Sequence, residues 1–461
     1  MRKRLCLCFC LSVLPLAAAE LPELVLPAGV GVNIHFTRGH ERDLDLIAAA
    51  GFKFIRMDFG WAGTERQRSQ YDWSDYDELT GNLEKRGLRA LYIFDYSNPL
   101  YEETVTSRNP VTGQEHRDTA SPQHPESVAA FARWAAAAAG HFRGRHILWE
   151  IWNEPNITFW KPKPDAQQYS TLALATCKAI RAVDPQATIL APATSEVPLA
   201  FIETLFAAGA LEYLDAVSVH PYRSYSKPPE TAAEDYQKLR ALIERYAPTP
   251  QKKKTPIISG EWGYASHRRG VSLEKQADFI VRQQLANLLQ GVPISIWYDW
   301  KNDGPDPEER EHNFGAMTLD LQPKPAYCAL QTMTRELAGY RIARRLNVGS
   351  ESDFVLLLAK AKAPQRLAAW TLGEPHAVSL PVKAGSKSRV GLVGSQPDGQ
   401  PYRFEVERAP GKSAGAKTTS ETSLSAAGPQ AATVKLEAKT LVLPLGASPV
   451  YVTLAGVIAM D

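Results

Sequence analysis

Trp149-Glu150-Ile151-Trp152-Asn153-Glu154-Pro155-Asn156 begins as a strand and is stopped by a proline. Ile147, Leu148, Trp149, Ile151 and Trp152 favour a pleated, buried segment, and Pro155 lacks the backbone donor that a continuing ladder needs. Glu154 is therefore expected where strand becomes loop. In a parallel α/β barrel that end is the face that carries active sites. Alone, Asn153 and Glu154 could equally be ordinary polar loop residues, so the flanking segments decide the reading.

The same alternation of short apolar runs and helical patterns recurs on both sides of this stretch. Strands are predicted over Val30–Phe36, Phe52–Phe59, Leu88–Phe94, Ile147–Asn153, Ala187–Ala193, Ala216–Tyr222, Pro256–Glu261 and Pro293–Trp300. Helices are predicted over 41–50, 75–86, 125–143, 165–183, 198–209, 231–246, 272–290 and 324–337. Eight βα units without a Gly-x-Gly-x-x-Gly turn after the first strand predict a (β/α)8 barrel rather than an open doubly wound sheet. Beyond about Gly339 the helical patterns stop. Runs such as Phe354–Leu358, Leu367–Leu372, Val378–Val382, Phe404–Val406, Thr433–Leu436, Leu441–Leu443 and Val450–Leu454 predict a β-sandwich, interrupted by an Ala/Ser/Thr/Gly/Lys-rich loop over 409–430.

The expected organisation is thus a signal peptide over 1–19, a barrel over 20–338 and a sandwich over 339–461. Arg2-Lys3-Arg4, the apolar run Leu5–Leu16 and Ala17-Ala18-Ala19 have the three parts of a secretory signal, with cleavage after Ala19. An uncleaved inner-membrane anchor is the alternative, although the run is short for a span. Cleavage takes the formal net charge from +2 to −1 by removing Arg2, Lys3 and Arg4, which leaves no global attraction to nucleic acid. Lys252-Lys253-Lys254 reads as solvated charge. Of five cysteines, Cys6, Cys8 and Cys10 lie in the signal. Cys177 and Cys328 fall in helices predicted on opposite sides of the barrel, so no disulfide is expected, and metal-ligand cysteine spacing is absent.

Read from the strand ends, polar residues converge: His35, Arg56 and Asp58, Asp95, Asn153 and Glu154, His220 and Tyr222, Glu261, and the stretch Trp297–Trp300. Glycoside hydrolysis needs two carboxyl groups flanking the scissile bond, one protonated and one ionised. Glu154 and Glu261 supply such a pair, with Arg56, His220 and Tyr222 suited to keeping a nucleophile ionised. His220 and Tyr222 are two positions apart and so share a face. Glu150 lies deep in its strand and reads as a buried structural acid.

These residues, together with Val32-Asn33-Ile34-His35, Asp95-Tyr96-Ser97-Asn98-Pro99-Leu100-Tyr101 and Trp297-Tyr298-Asp299-Trp300, resemble clan A glycoside hydrolases and within them family 39, notably its members associated with Psl-type biofilm exopolysaccharide. The resemblance implies a retaining mechanism with Glu154 as acid/base and Glu261 as nucleophile. It also implies Asn153 on the hydroxyl beside the reacting carbon, Tyr222 and Arg56 holding Glu261, and either Trp297 or Trp300 as the floor of the central subsite. Neither metal nor organic cofactor is implied. The expected protein is an exported, periplasmic monomer that cuts a bacterial exopolysaccharide internally. Membrane association is expected only if the N-terminal segment stays uncleaved. An exo-acting β-xylosidase or iduronidase-like enzyme shares the same pair, and a catalytically retired polysaccharide-binding scaffold is the reading from another class.

Overall fold

The computed structural model describes residues 21–108, 113–248, 254–407, 434–437 and 439–460. The predicted signal peptide, Lys252 and Lys253, and the predicted loop over 409–430 lie outside the described residues. Among the described residues ten strands precede the C-terminal domain: β1 (Val30–Asn33), β2 (Phe54–Gly60), β3 (Arg89–Asp95), β4 (Thr104–Arg108), β5 (Glu115–Thr119), β6 (Leu148–Ile151), β7 (Thr188–Ser195), β8 (Ala216–His220), β9 (Ile257–Trp262) and β10 (Ser295–Trp297). The helices among them are α1 (Glu41–Ala49), α2 (Trp61–Thr64), α3 (Ser74–Glu84), α4 (Pro125–His141), α5 (Ala166–Val183), α6 (Leu199–Ala207), α7 (Ala232–Tyr246), α8 (Leu273–Leu289) and α9 (Pro325–Glu336).

Eight of the strands close a parallel barrel in the order β1-β10-β9-β8-β7-β6-β3-β2. The period of two along each strand explains both its cores. Phe54, Leu91, Ile93, Leu148, Leu190, Ala216, Ile258, Ile294 and Ile296 point inward and fill the lower barrel. The alternate residues, including Ile55, Trp149, Ile151, Ile189, Val217 and Trp297, point out against the helices. Above the apolar layer the inward positions turn polar, with Arg56, Glu150 and Ser218 all buried. Gly260 makes room for this layer, because a Cβ there would meet Ser218 Oγ at 2.3 Å and Glu150 Oε1 at 3.0 Å.

The structure departs from expectation in one connection and at several strand ends, with β1 closing at Asn33 rather than Phe36, β6 at Ile151 rather than Asn153 and β8 at His220 rather than Tyr222. The predicted third βα connection contains an antiparallel hairpin, β4–β5, whose residues are too polar to announce a strand. The final barrel strand ends at Trp297 rather than Trp300, although beyond it Tyr298 N–H still donates to Trp262 O and Trp300 N–H to Asn33 O, both at 3.0 Å. Cys177 in α5 and Cys328 in α9 are both free.

The C-terminal domain comprises β11 (Arg341–Arg345), β12 (Asp353–Ala359), β13 (Gln365–Thr371), β14 (His376–Ser395), β15 (Pro401–Glu407), β16 (Lys435–Leu436), β17 (Thr440–Leu445) and β18 (Val450–Ala459). All its pairings are antiparallel. The 20-residue β14 ties them into one sheet: its start pairs with β17, and its later part pairs with β18 on one side and β15 on the other. Val355, Leu357, Leu367, Ala369, Val452 and Leu454 form this domain's own core. Phe354, Leu356, Leu358, Ala368, Trp370 and Tyr451 face the opposite way, into the barrel's helix layer. Burial on both faces is why these strands read as apolar runs instead of alternating ones. Buried polar contacts lock the junction. Arg282 of α8 forks onto Glu230 at 2.8 and 2.9 Å, and Trp370 Nε1 donates to the same carboxylate at 2.8 Å.

Candidate active site

Glu154 is carried just past β6 by a backbone that turns left-handed twice, at Trp152 (φ 67°) and at Glu154 (φ 46°). Such a conformation is costly for residues with a side chain. It is held by Trp152 N–H donating to Phe94 O at 3.0 Å, by Glu154 N–H donating to Ala193 O at 2.9 Å, and by complete burial of the Trp152 ring. The neighbouring strands β3 and β7 thus aim the carboxyl at the barrel mouth. Glu261 reaches the same mouth from β9. A carboxylate oxygen of each residue and a ring nitrogen of His220 all lie within 4.8 Å of one another.

Arg56 is the hub of the site and is only 1% exposed. Its Nε donates to Glu150 Oε2 at 2.7 Å, Nη1 to Glu261 Oε2 at 2.5 Å and Nη2 to Asn153 Oδ1 at 2.8 Å. Burial alone would weaken its charge, but Glu150 and Glu261 more than offset that and raise its pKa. Glu150 is a fully buried acid held by Arg56 and by the Ser218 hydroxyl, as its depth in the strand led one to expect. Tyr222 OH donates to Glu261 Oε1 at 2.8 Å, so both oxygens of Glu261 accept hydrogen bonds.

His220 sits on a different partner from the one expected. Its Nδ1 is 2.9 Å from Glu154 Oε1, and its Nε2 is 3.2 Å from Arg56 Nη2. A guanidinium only donates, so Nε2 accepts and Nδ1–H donates to Glu154. Burial, with Arg56 beside it, pushes His220 down to about 4 and keeps the ring neutral. His220 therefore orients Glu154 rather than supporting Glu261. Glu154 itself is pushed up to about 7, chiefly by burial, against the opposing pull of Arg56.

Neither tryptophan lies where the resemblance placed it. Trp297 has outward parity and is fully buried in the helix-side core. Trp300 Nε1 donates to Asp43 Oδ1 of α1 at 2.8 Å, behind the barrel wall. The aromatic that faces the mouth is Tyr298, packed edge-on to His35 at 5.7 Å and to Phe314 at 5.2 Å. Ile294 and Ile296 point inward, so parity along the strand was the signal that selects Tyr298. Sequence reasoning also passed over Tyr96 as a site residue, although its OH accepts from Asn153 Nδ2 at 2.9 Å.

His35 lies at the edge of this group, with Nε2 3.6 Å from Asp299 Oδ2. Burial opposes its charge, but Asp299, Asp303 and Asp58 push it up to about 9. Among the described residues, two clusters offer metal-type donor atoms within 4.8 Å: Glu154/His220/Glu261 and His35/Asp299/Asp303. In the first, Arg56 already supplies the positive charge; in the second, protonated His35 does. Both clusters are better matched to organic hydrogen-bonding partners than to a dication.

The chain is 33% identical over 126 residues to a β-xylosidase of Geobacillus stearothermophilus, a match covering 23% of this chain and 24% of that protein. Its fold is similar to that of a family 39 glycoside hydrolase from the gut symbiont Bacteroides cellulosilyticus WH2, with a TM-score of 0.71 and 23% identity over 95% of this chain and 83% of that one. It is also similar to a monomeric β-xylosidase from Caulobacter crescentus CB15, with a TM-score of 0.62 and 17% identity over 95% and 98% of the two chains. Residues 28–304, which include all eight barrel strands, match the family model described as cellulase (glycosyl hydrolase family 5), and the chain belongs to that family.

Proposed function

We propose that the chain is a retaining glycoside hydrolase in which Glu261 attacks the sugar and Glu154 serves as acid and then as base. The observation that carries this reading is the approach of the two carboxyl groups at one mouth, one oxygen of each lying within 4.8 Å of the other. Retention needs a gap of roughly 5 Å, whereas inversion needs about 6.5–9.5 Å to admit a water. The differing environments of the two acids support the assignment. Glu154, desolvated and pushed up to about 7, is available as a proton donor at neutral pH. Glu261, bonded by Arg56 and Tyr222, is presented as a carboxylate.

In the first step Glu261 forms a bond to the anomeric carbon while the glycosidic bond breaks and Glu154 gives its proton to the departing oxygen. Glu154, now anionic, then takes a proton from water, whose oxygen displaces Glu261 from the sugar. The Nδ1–H of His220 holds Glu154 through both steps, and Asn153, fixed between Arg56 and Tyr96, offers its amide to a sugar hydroxyl.

The substrate we infer is a bacterial exopolysaccharide cut internally, by an exported monomer whose N-terminal signal is removed after Ala19. No helix among the described residues is long and apolar enough to cross a membrane. The local likeness to the Geobacillus β-xylosidase favours a second reading, release of xylose from chain ends. Product size over time separates them. Wild type and Glu261→Gln are given a mannose-rich exopolysaccharide and xylo-oligosaccharides. Oligosaccharides formed only by wild type support internal cleavage, monosaccharides support the second reading, and no products from any glycan would overturn both.

A further inference from the structure

Among the described residues Phe159 is the one phenylalanine, tyrosine or tryptophan left exposed, at 40%. It stands five residues beyond Glu154, on the same loop, and it is held there. Ile157 N–H donates to Glu154 O at 3.2 Å and Trp160 N–H to Ile157 O at 3.1 Å, which folds the loop into consecutive turns. Trp160, next in the chain, is fully buried against Trp152 and Tyr169. Trp152 Nε1 donates to Phe159 O at 3.3 Å. The far side of the loop is pinned by Lys161 N–H to Ser121 Oγ at 2.8 Å and by the Lys161–Asp118 ion pair at 3.0 Å. One face of the Phe159 ring is stacked on Tyr96 at 5.7 Å, and Tyr96 in turn bonds Asn153. A rigid loop therefore holds an apolar ring in water beside the reacting centre.

We propose that Phe159 is the stacking platform for the leaving-group sugar, so that the bond this site breaks joins two pyranose rings. The inference rests on the assignment of Glu154 as acid: the oxygen it protonates belongs to the leaving group, which must lie against Glu154's own loop. A pyranose presents a face of C–H bonds that an aromatic ring covers without unmet hydrogen bonds. With about 200 Å² for a phenylalanine side chain, the exposed part offers roughly 80 Å², and covering it strengthens binding about thirtyfold.

The test compares wild type, Phe159→Ala and Phe159→Trp on paired probes: β-1,4-linked xylo-, gluco- and manno-oligosaccharides, each beside the glycosyl fluoride of the same sugar. Fluoride leaves without a ring to stack. Phe159→Ala should lower kcat/KM for the oligosaccharide by ten- to thirtyfold and leave the fluoride unchanged, and Phe159→Trp should restore the oligosaccharide rate. Equal losses on both probes would make Phe159 a positioning residue for Tyr96 and Asn153 and overturn the proposal, as would fluoride turnover with no oligosaccharide turnover in wild type. If wild type turns over neither probe, the glycosidase reading fails by itself. Calorimetric binding of the oligosaccharides to Glu261→Gln, with and without Phe159→Ala, then decides for or against the platform by the presence or absence of the same tenfold or greater loss.

Discussion

Replacing Glu154 by Gln should make the protein more stable at alkaline pH while it removes the acid. Glu154 is 6% exposed, and burial pushes it from 4.5 to about 7. Its folded pKa is raised, so its share of stability is fully present below pH 4.5 and is lost as pH rises through 7. The loss levels off at about 3 kcal/mol. Gln keeps the shape and still accepts from His220 Nδ1–H, but it never ionises. Denaturant unfolding should therefore give nearly equal stability for the two proteins at pH 4 and an advantage of about 3 kcal/mol for Glu154→Gln at pH 9. Kinetics must agree. Wild-type kcat/KM on an oligosaccharide should fall above pH 7, to about a tenth at pH 8 and about a hundredth at pH 9. The variant should lose about 10²- to 10⁴-fold on that substrate, yet keep most of its glycosylation rate on a dinitrophenyl glycoside, whose leaving group needs no proton. A wild type with no alkaline limb near pH 7, together with a variant no more stable at pH 9, would refute the assignment of a desolvated proton donor at Glu154.

The remaining predictions address the other parts of the site. A 2-deoxy-2-fluoro glycoside with a good leaving group should label wild type covalently on the peptide containing Glu261, read by mass spectrometry, and label on any other peptide contradicts the nucleophile. Glu150→Gln breaks a fully buried pair with Arg56 and should cost about 3–5 kcal/mol of stability by chemical denaturation; a loss below 1 kcal/mol would mean that Arg56 re-pairs without strain. Trp300→Phe removes the bond to Asp43 and should destabilise by about 1–3 kcal/mol with KM unchanged. Tyr298→Ala should raise KM, and the reverse pattern would return a tryptophan to the subsite floor.

How far the sequence reaches can be judged residue by residue. The run Ile147–Trp152 and its seven counterparts carry their strand identity in local composition, so the barrel was legible, as was the mouthward placement of Arg56, Asn153, Glu154, Tyr222 and Glu261. Polar residues at the ends of parallel strands have only one face on which to meet. Glu150 was legible as a buried acid by its depth, though its partners were not, since Arg56 and Ser218 come from 94 residues before it and 68 residues after it. The twofold strand period would have chosen Tyr298 over Trp297, and following the resemblance instead led to the wrong ring. Only the tertiary structure could decide that His220 turns to Glu154, because an oxygen of each glutamate lies near the ring and Arg56, by donating to Nε2, leaves Nδ1–H for Glu154. The same holds for Phe159. Its exposure follows from Trp160 taking the neighbouring buried slot between Trp152 and Tyr169, a matter of packing between distant segments. Local sequence determined which segments form strands and which end of each carries chemistry; three-dimensional packing and hydrogen-bond competition determined which side chains face one another there.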